Sequence, residues 1–120
     1  MGTALIIEDS VTEREIISQY LKLAGITVAI ATSGEEGLEK LNGELPDVIV
    51  LDVVLPGRSG FEICRELKAE ERTSKIPVII CSTKDTDMDK FWGRRQGADA
   101  YIPKPIDQDV FISTIKQLIP

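Results

Sequence analysis

The sequence contains no histidine. That absence removes every mechanism that needs an imidazole base or a phosphohistidine, serine–histidine and cysteine–histidine hydrolysis included. Cysteine is scarce too. Cys64 and Cys81 form no CxxC and have no histidine to join them, so they make no zinc pattern and read as two small apolar fillers in a reducing compartment. Basic residues are outnumbered, 14 Lys and Arg against 20 Asp and Glu, for a net charge of −6. The one tight basic pair is Arg94-Arg95, which is too little for a nucleic-acid groove. No apolar run approaches the roughly 18 residues that cross a bilayer. The start Met1-Gly2-Thr3-Ala4 has neither the basic nor the apolar region of a secretory signal, and Ile6 stands where a myristoylation start needs Ser or Thr. With no GxGxxG and no GxxxxGK[ST], a dinucleotide or nucleotide binder is set aside. The expectation is a cytoplasmic chain with no membrane or nucleic-acid partner, folding as one domain over 1–120 around one core.

What the chain does have is a regular alternation of short apolar runs with amphipathic stretches, the pattern of βα units around a parallel sheet. Ala4 to Ile7 predicts β1. Ser10-Val11-Thr12-Glu13 is a capping box opening α1, whose apolar positions Ile16, Ile17, Tyr20, Leu21 and Leu23-Ala24 run to a stop at Gly25. Ile26 to Ala31 predicts β2, and a second capping box, Ser33 to Glu36, opens α2, with Leu38 and Leu41 inward and Asn42-Gly43 at its end. Val48 to Leu51, apolar on both faces, predicts a central β3. A loop from Val53 to Ser59 leads to α3, about Gly60 to Glu70, with Phe61, Ile63, Cys64 and Leu67 on its apolar side. Val78 to Cys81 predicts β4, Thr86 to Gln96 α4, Ala100 to Pro103 β5, and Asp107 to Leu118 α5, with Val110, Phe111, Ile115 and Leu118-Ile119 apolar. Five such units fit an α/β, flavodoxin-like doubly wound fold, a five-stranded parallel sheet of order 2-1-3-4-5 with ligands at the carboxyl ends of the strands.

Placed on that frame, the polar residues converge. Glu8-Asp9 follows β1, Asp52 ends β3, Ser82-Thr83 ends β4 and Lys104 follows β5. Three crowded carboxylates raise one another's pKa, which a lysine relieves in part and a hard cation relieves further. Mg²⁺ suits such oxygen ligands, taking one or two carboxylates plus waters and phosphate. A carboxylate beside Mg²⁺ and an ammonium can attack phosphorus and become an aspartyl phosphate, with Ser82 holding another phosphoryl oxygen. Taken singly, each residue has a plainer reading. Asp9 or Ser10 could cap α1, Asp52 could be a turn residue, and Lys104 a solvated lysine. The conjunction on four strand ends favours the chemistry.

These residues carry a family resemblance. Glu8-Asp9 after β1, Asp52 followed by Pro56 and Gly60, Ser82 thirty positions beyond Asp52, and Lys104-Pro105 twenty-two beyond Ser82 resemble the receiver domains of two-component response regulators, the CheY-like group, over essentially the whole chain. The resemblance implies that Asp52 is the phosphoacceptor, and that Glu8, Asp9, Asp52 and the Val54 backbone carbonyl bind Mg²⁺. It further implies that Ser82 turns toward the phosphoryl group, that Lys104 pairs with it across a cis bond to Pro105, and that Tyr101 is the aromatic whose rotamer reports phosphorylation. Glu8 in place of the commoner Asp and Ser82 in place of Thr keep the same chemistry, whereas Thr83 stands where the family often has Ala or Gly. The Thr-Lys-Asp and Trp-Gly-Arg-Arg-Gln-Gly-Ala pieces within 82–101 look like the single-domain regulators of type IV pilus twitching motility.

The resemblance also implies a sensor histidine kinase or phosphotransfer protein as donor, docking around Val11, Glu13, Arg14, Ile17 and Pro105. With the sequence ending just after α5, output is expected through protein contacts of the α4-β5-α5 surface, to a downstream target or a homodimer, with Trp92, Arg95 and Tyr101 on it; the alternative is a fragment of a longer regulator. On α4, Met88, Phe91, Trp92 and Arg95 share one face; at least one of Met88 and Phe91 is expected in the core and Trp92 is expected to be partly exposed. Gly93 inside that helix costs about 1 kcal/mol relative to alanine, so Gly93→Ala is expected to stiffen a switch in which Ser82 moves inward, Tyr101 follows and α4 shifts. Two rivals remain. A small phosphohydrolase would want a carboxylate two residues beyond Asp52, where Val54 stands. A receiver-fold binding module that is never phosphorylated is kept open by Thr83.

Overall fold

Aliphatic, β-branched runs favour strands that are buried on both faces, and the stretches between them favour helices with one apolar stripe. The computed structural model, which describes residues 2–119, resolves these as β1 (Thr3–Ile7), α1 (Val11–Leu23), β2 (Thr27–Ala31), α2 (Gly34–Lys40), β3 (Val48–Leu51), α3 (Gly60–Ala69), β4 (Val78–Ser82), α4 (Asp87–Arg95), β5 (Ala100–Pro103) and α5 (Gln108–Leu118). Met1 and Pro120, the ends of the expected 1–120 span, lie outside the described residues. All strand pairs are parallel and the order is β2-β1-β3-β4-β5.

Alternate strand residues feed two cores. Ala4, Ile6, Val48, Val50, Ile79, Cys81 and Ile102 pack with Ile17 and Leu21 of α1 and Phe111 and Ile115 of α5. Leu5, Ile7, Ile49, Leu51 and Val78 pack with Leu41 and with Ile63, Cys64 and Leu67 of α3. Each such side chain, Phe111 for example, stabilises the fold by about 1.5–3 kcal/mol through removal from water. Both cysteines are free and buried, and burial pushes the Cys64 thiol up to about 11 and Cys81 further in the same direction, so both stay inert thiols.

Several local expectations are revised. Ser10 and Ser33 do cap their helices, accepting from the Glu13 and Glu36 amides, but neither glutamate returns the bond. Glu36 instead accepts from the Thr32 amide and hydroxyl, one residue earlier, and Glu13 reaches toward Lys104. The reciprocal box forms at α4, between Thr86 and Asp89. Leu23 and Val110, read with the apolar faces of α1 and α5, are exposed. So are both Met88 and Phe91, at 72% and 55%, against the expectation that one would enter the core; Trp92 is half exposed as expected. The buried residue of α4 is Gly93, so this helix rests on the sheet through a glycine and turns its apolar stripe to water.

Candidate functional site

The site is an extension of the sheet ladder. Beyond the strand ends, the Glu8 amide donates to the Ala31 carbonyl (3.0 Å), Asp52 to Ile7 (3.1 Å) and Lys104 to Ser82 (3.0 Å). Backbone pairing therefore sets where the three charged side chains start. Gly60 closes the β3–α3 loop onto the same end, its amide donating to the Val53 carbonyl at 2.9 Å.

The side chains then meet. The Lys104 ammonium, 6% exposed, bonds the Glu8 carboxylate through Oε1 and the Asp52 carboxylate through Oδ2 at 3.2 Å. Glu8 also accepts from the Ser10 amide at 3.2 Å, and Asp52 Oδ1 accepts from the Val54 amide at 3.2 Å. Glu8 and Asp52 are buried, whereas Asp9 is exposed, and one carboxylate oxygen from each of the three lies within 4.8 Å of the others. Burial is the main cause that raises the Glu8 pKa, with the Asp52 charge adding to it against the Lys104 and Ser10 bonds that lower it. Burial alone would lower Lys104, but the Glu8 bond and the two anionic charges outweigh it and raise it. One ammonium does not fully compensate two buried carboxylates with a third, solvent-facing one beside them. The donor set, hard oxygens with Asp9 open to solvent, fits a divalent cation of the Mg²⁺ kind.

The expected switch residues both bond to the main chain of Lys84. Ser82 is fully buried, and its Oγ accepts from the Lys84 amide at 3.2 Å. The Tyr101 hydroxyl donates to the Lys84 carbonyl. Burial, then the charges of Asp89, Asp52 and Asp85, push the Tyr101 phenol up to about 12, which keeps it a donor. Trp92 and Arg95 are exposed on α4. Thr83 is exposed, Val54 is half exposed, and the Lys104–Pro105 bond is cis.

Gly93 has a different role from the flexibility first assigned to it. A Cβ there would stand 2.8 and 2.9 Å from the edge of the Tyr101 ring. Gly93→Ala should therefore expel the ring instead of simply stiffening the helix. The propensity gain of about 1 kcal/mol offsets part of the crowding, so net stability should change little. Proton NMR should show the Tyr101 ring resonances displaced; unmoved resonances would refute this contact as the glycine's purpose.

Sequence reasoning missed two residues of the site. Glu13 Oε2 lies 3.7 Å from Lys104 Nζ, and Arg14 donates to the Glu8 and Asp9 main-chain carbonyls. Both were placed on the kinase-docking face. The signal available was only their α1 first-turn position beside the acidic pair. Ile17, placed on that face too, is 1% exposed and belongs to the core; Val11 is exposed.

A strand-end acid triad, a buried lysine and a neighbouring hydroxyl on this sheet order define a receiver. Residues 4–116 match the family described as the response regulator receiver domain, and the chain belongs to that family. It is 41% identical to Protein PilH of Pseudomonas aeruginosa over 99% of this chain and 98% of that protein. It is 40% identical to the transcriptional regulatory protein AfsQ1 of Streptomyces coelicolor over 99% of this chain, which spans about half (52%) of AfsQ1. Among solved structures, the chemotaxis response regulator CheY4 of Vibrio cholerae superposes with a TM-score of 0.90 at 28% identity, covering 98% of each chain. No described helix is long and apolar enough to cross a membrane.

Proposed function

We propose that this receiver is a cytoplasmic, phosphorylation-controlled switch in which Asp52 takes a phosphoryl group from a sensor histidine kinase or a phosphotransfer protein. The observation that carries it is the Lys104 ammonium held between Glu8 and Asp52 with Asp9 alongside. An Asp52 oxygen forms the new bond to phosphorus while the donor's bond to phosphorus breaks, and the donor leaves with that electron pair. Lys104, already on Asp52, is placed to compensate charge on the phosphoryl oxygens. Glu8, Asp9, Asp52 and the Val54 carbonyl would hold Mg²⁺, which when bound supplies further neutralisation of those oxygens. The chain acts on its own acceptor only, so it is a signalling domain and not a conventional enzyme.

Ser82 is the proposed reporter of the modification. Turning its Oγ toward a phosphoryl oxygen gives up the Lys84 amide, and Lys84 is the residue whose carbonyl Tyr101 holds. The rearrangement would reach α4 through the Tyr101–Gly93 contact and change the surface carrying Trp92, Arg95 and Tyr101, which would bind a downstream protein or a second copy. The near full-length likeness to Protein PilH, together with the Trp-Gly-Arg-Arg-Gln-Gly-Ala piece, supports a place in type IV pilus twitching motility or taxis.

The test is intact mass after incubation with Mg²⁺ and acetyl phosphate. One added phosphoryl group that hydroxylamine removes, and that is missing when Mg²⁺ is withheld, is the expected outcome. No adduct with acetyl phosphate or with a phosphorylated histidine kinase would leave a receiver-fold binding module.

A further inference from the structure

Arg14 sits in the first turn of α1, and its side chain folds back under the loop that precedes the helix. Its Nη1 donates to the main-chain carbonyl of Glu8 at 3.2 Å and to that of Asp9 at 3.0 Å. Those two carbonyls belong to the peptide planes on either side of the Asp9 Cα. Holding both restrains φ and ψ of Asp9, and so the direction in which its Cα–Cβ bond leaves the backbone.

Asp9 is the member of the triad that needs such help. Glu8 is aimed by Lys104 and the Ser10 amide, and Asp52 by Lys104 and the Val54 amide. The Asp9 carboxylate is exposed and accepts no hydrogen bond among the described residues, yet one of its oxygens lies within 4.8 Å of the other two. We propose that Arg14 is a positioning residue for divalent-cation binding: by clamping the peptides that flank Asp9 it directs the Asp9 carboxylate into the space shared with Glu8 and Asp52. This rests on the reading of the triad as a cation site.

The sign of the effect separates this role from simple electrostatics. Arg14 is itself a cation, so if only its charge mattered, removing it would tighten the binding of Mg²⁺. If it positions Asp9, removing it weakens binding. Loss of an outer partner of metal ligands typically costs about 10–100-fold in affinity. The exposed setting of Asp9 puts Arg14→Met near the low end, about tenfold. Arg14→Lys keeps the charge and a donor nitrogen but on a shorter, non-planar and more freely turning head, and should fall between Arg14→Met and the parent.

The experiment is calorimetric titration of Mg²⁺ into the full chain and both variants, with thermal melting in chelator beside it. The expected result is a Mg²⁺ dissociation constant raised about tenfold in Arg14→Met and less in Arg14→Lys, with metal-free melting within a few degrees of the parent. Unchanged or tighter Mg²⁺ binding in Arg14→Met overturns the proposal, as does a lower metal-free melting temperature with the Mg²⁺ constant unmoved. A parent protein that binds no Mg²⁺ overturns it at its foundation, and is told apart from the other outcomes by needing no variant.

Discussion

Asp52→Asn is expected to give a folded protein that takes up no phosphoryl group under conditions that fully modify the parent. The argument is local. The asparagine carbonyl can still accept from the Val54 amide as Asp52 Oδ1 does at 3.2 Å, so the side chain keeps its place. What disappears is the anion proposed as the nucleophile, one of the carboxylates facing Lys104, which retains Glu8 and Glu13. Asp52 also contributes to raising the Glu8 pKa, so its neutralisation relieves repulsion as well as removing an ion pair. Metal-free melting should accordingly move by only a few degrees. Intact mass after acetyl phosphate and Mg²⁺ reads the first outcome and calorimetry the second. A hydroxylamine-labile adduct surviving in Asp52→Asn would transfer the acceptor role to Glu8 or Asp9.

The largest stability effect is expected from Gly60→Ala. A Cβ at this position would lie 1.9 Å from the Asp52 carbonyl oxygen, 2.7 Å from its carbon and 2.8 Å from the Val53 Cα. All three are main-chain atoms, so no rotamer relieves the overlap; either α3 lifts or the end of β3 moves. Overpacking of this kind costs about 1–3 kcal/mol and sometimes more, which corresponds to roughly 5–15 °C of melting temperature for a domain of this size. The displaced strand end is the one that carries Asp52, and a misplacement of about 1 Å can cost about 100-fold in rate. Phosphorylation should therefore slow even at temperatures where the variant is folded. Gly43→Ala is the control, since its Cβ would meet nothing nearer than the Lys40 carbonyl at 3.7 Å. A Gly60→Ala protein that melts and reacts like Gly43→Ala would show that the loop does not need its close approach to β3.

The frame and the acidic rim were legible because each rests on a short-range rule. Runs such as Val48 to Leu51 are short, mostly β-branched and apolar throughout, as a central parallel strand is, and the site residues follow their strands directly, so naming the strands placed the rim. The errors came where a partner other than the expected one lay within reach. Glu13 and Glu36 have the spacing of capping-box partners, but Lys104 and Thr32 are closer to hand in the fold. Arg14 was invisible as a clamp because its acceptors are main-chain carbonyls, which carry no residue-type signal. The inverted face of α4 has a similar origin. Met88, Phe91 and Trp92 form an apolar stripe with Arg95 beside it, and the usual inference sends such a stripe inward. The contact with the sheet is made instead on the opposite side, by Gly93 against Tyr101 and Ile80, and a residue without a side chain adds nothing to a hydrophobicity pattern.

That inverted helix makes the protein its own optical probe. Trp92 is the single tryptophan of the chain and stands half exposed on the outward stripe of α4. Indole emission from this molecule thus originates at one address, with no second indole to dilute it. An event that wets, covers or tilts that stripe is visible without a label, while one confined to the β2 edge or the far side of α1 stays dark.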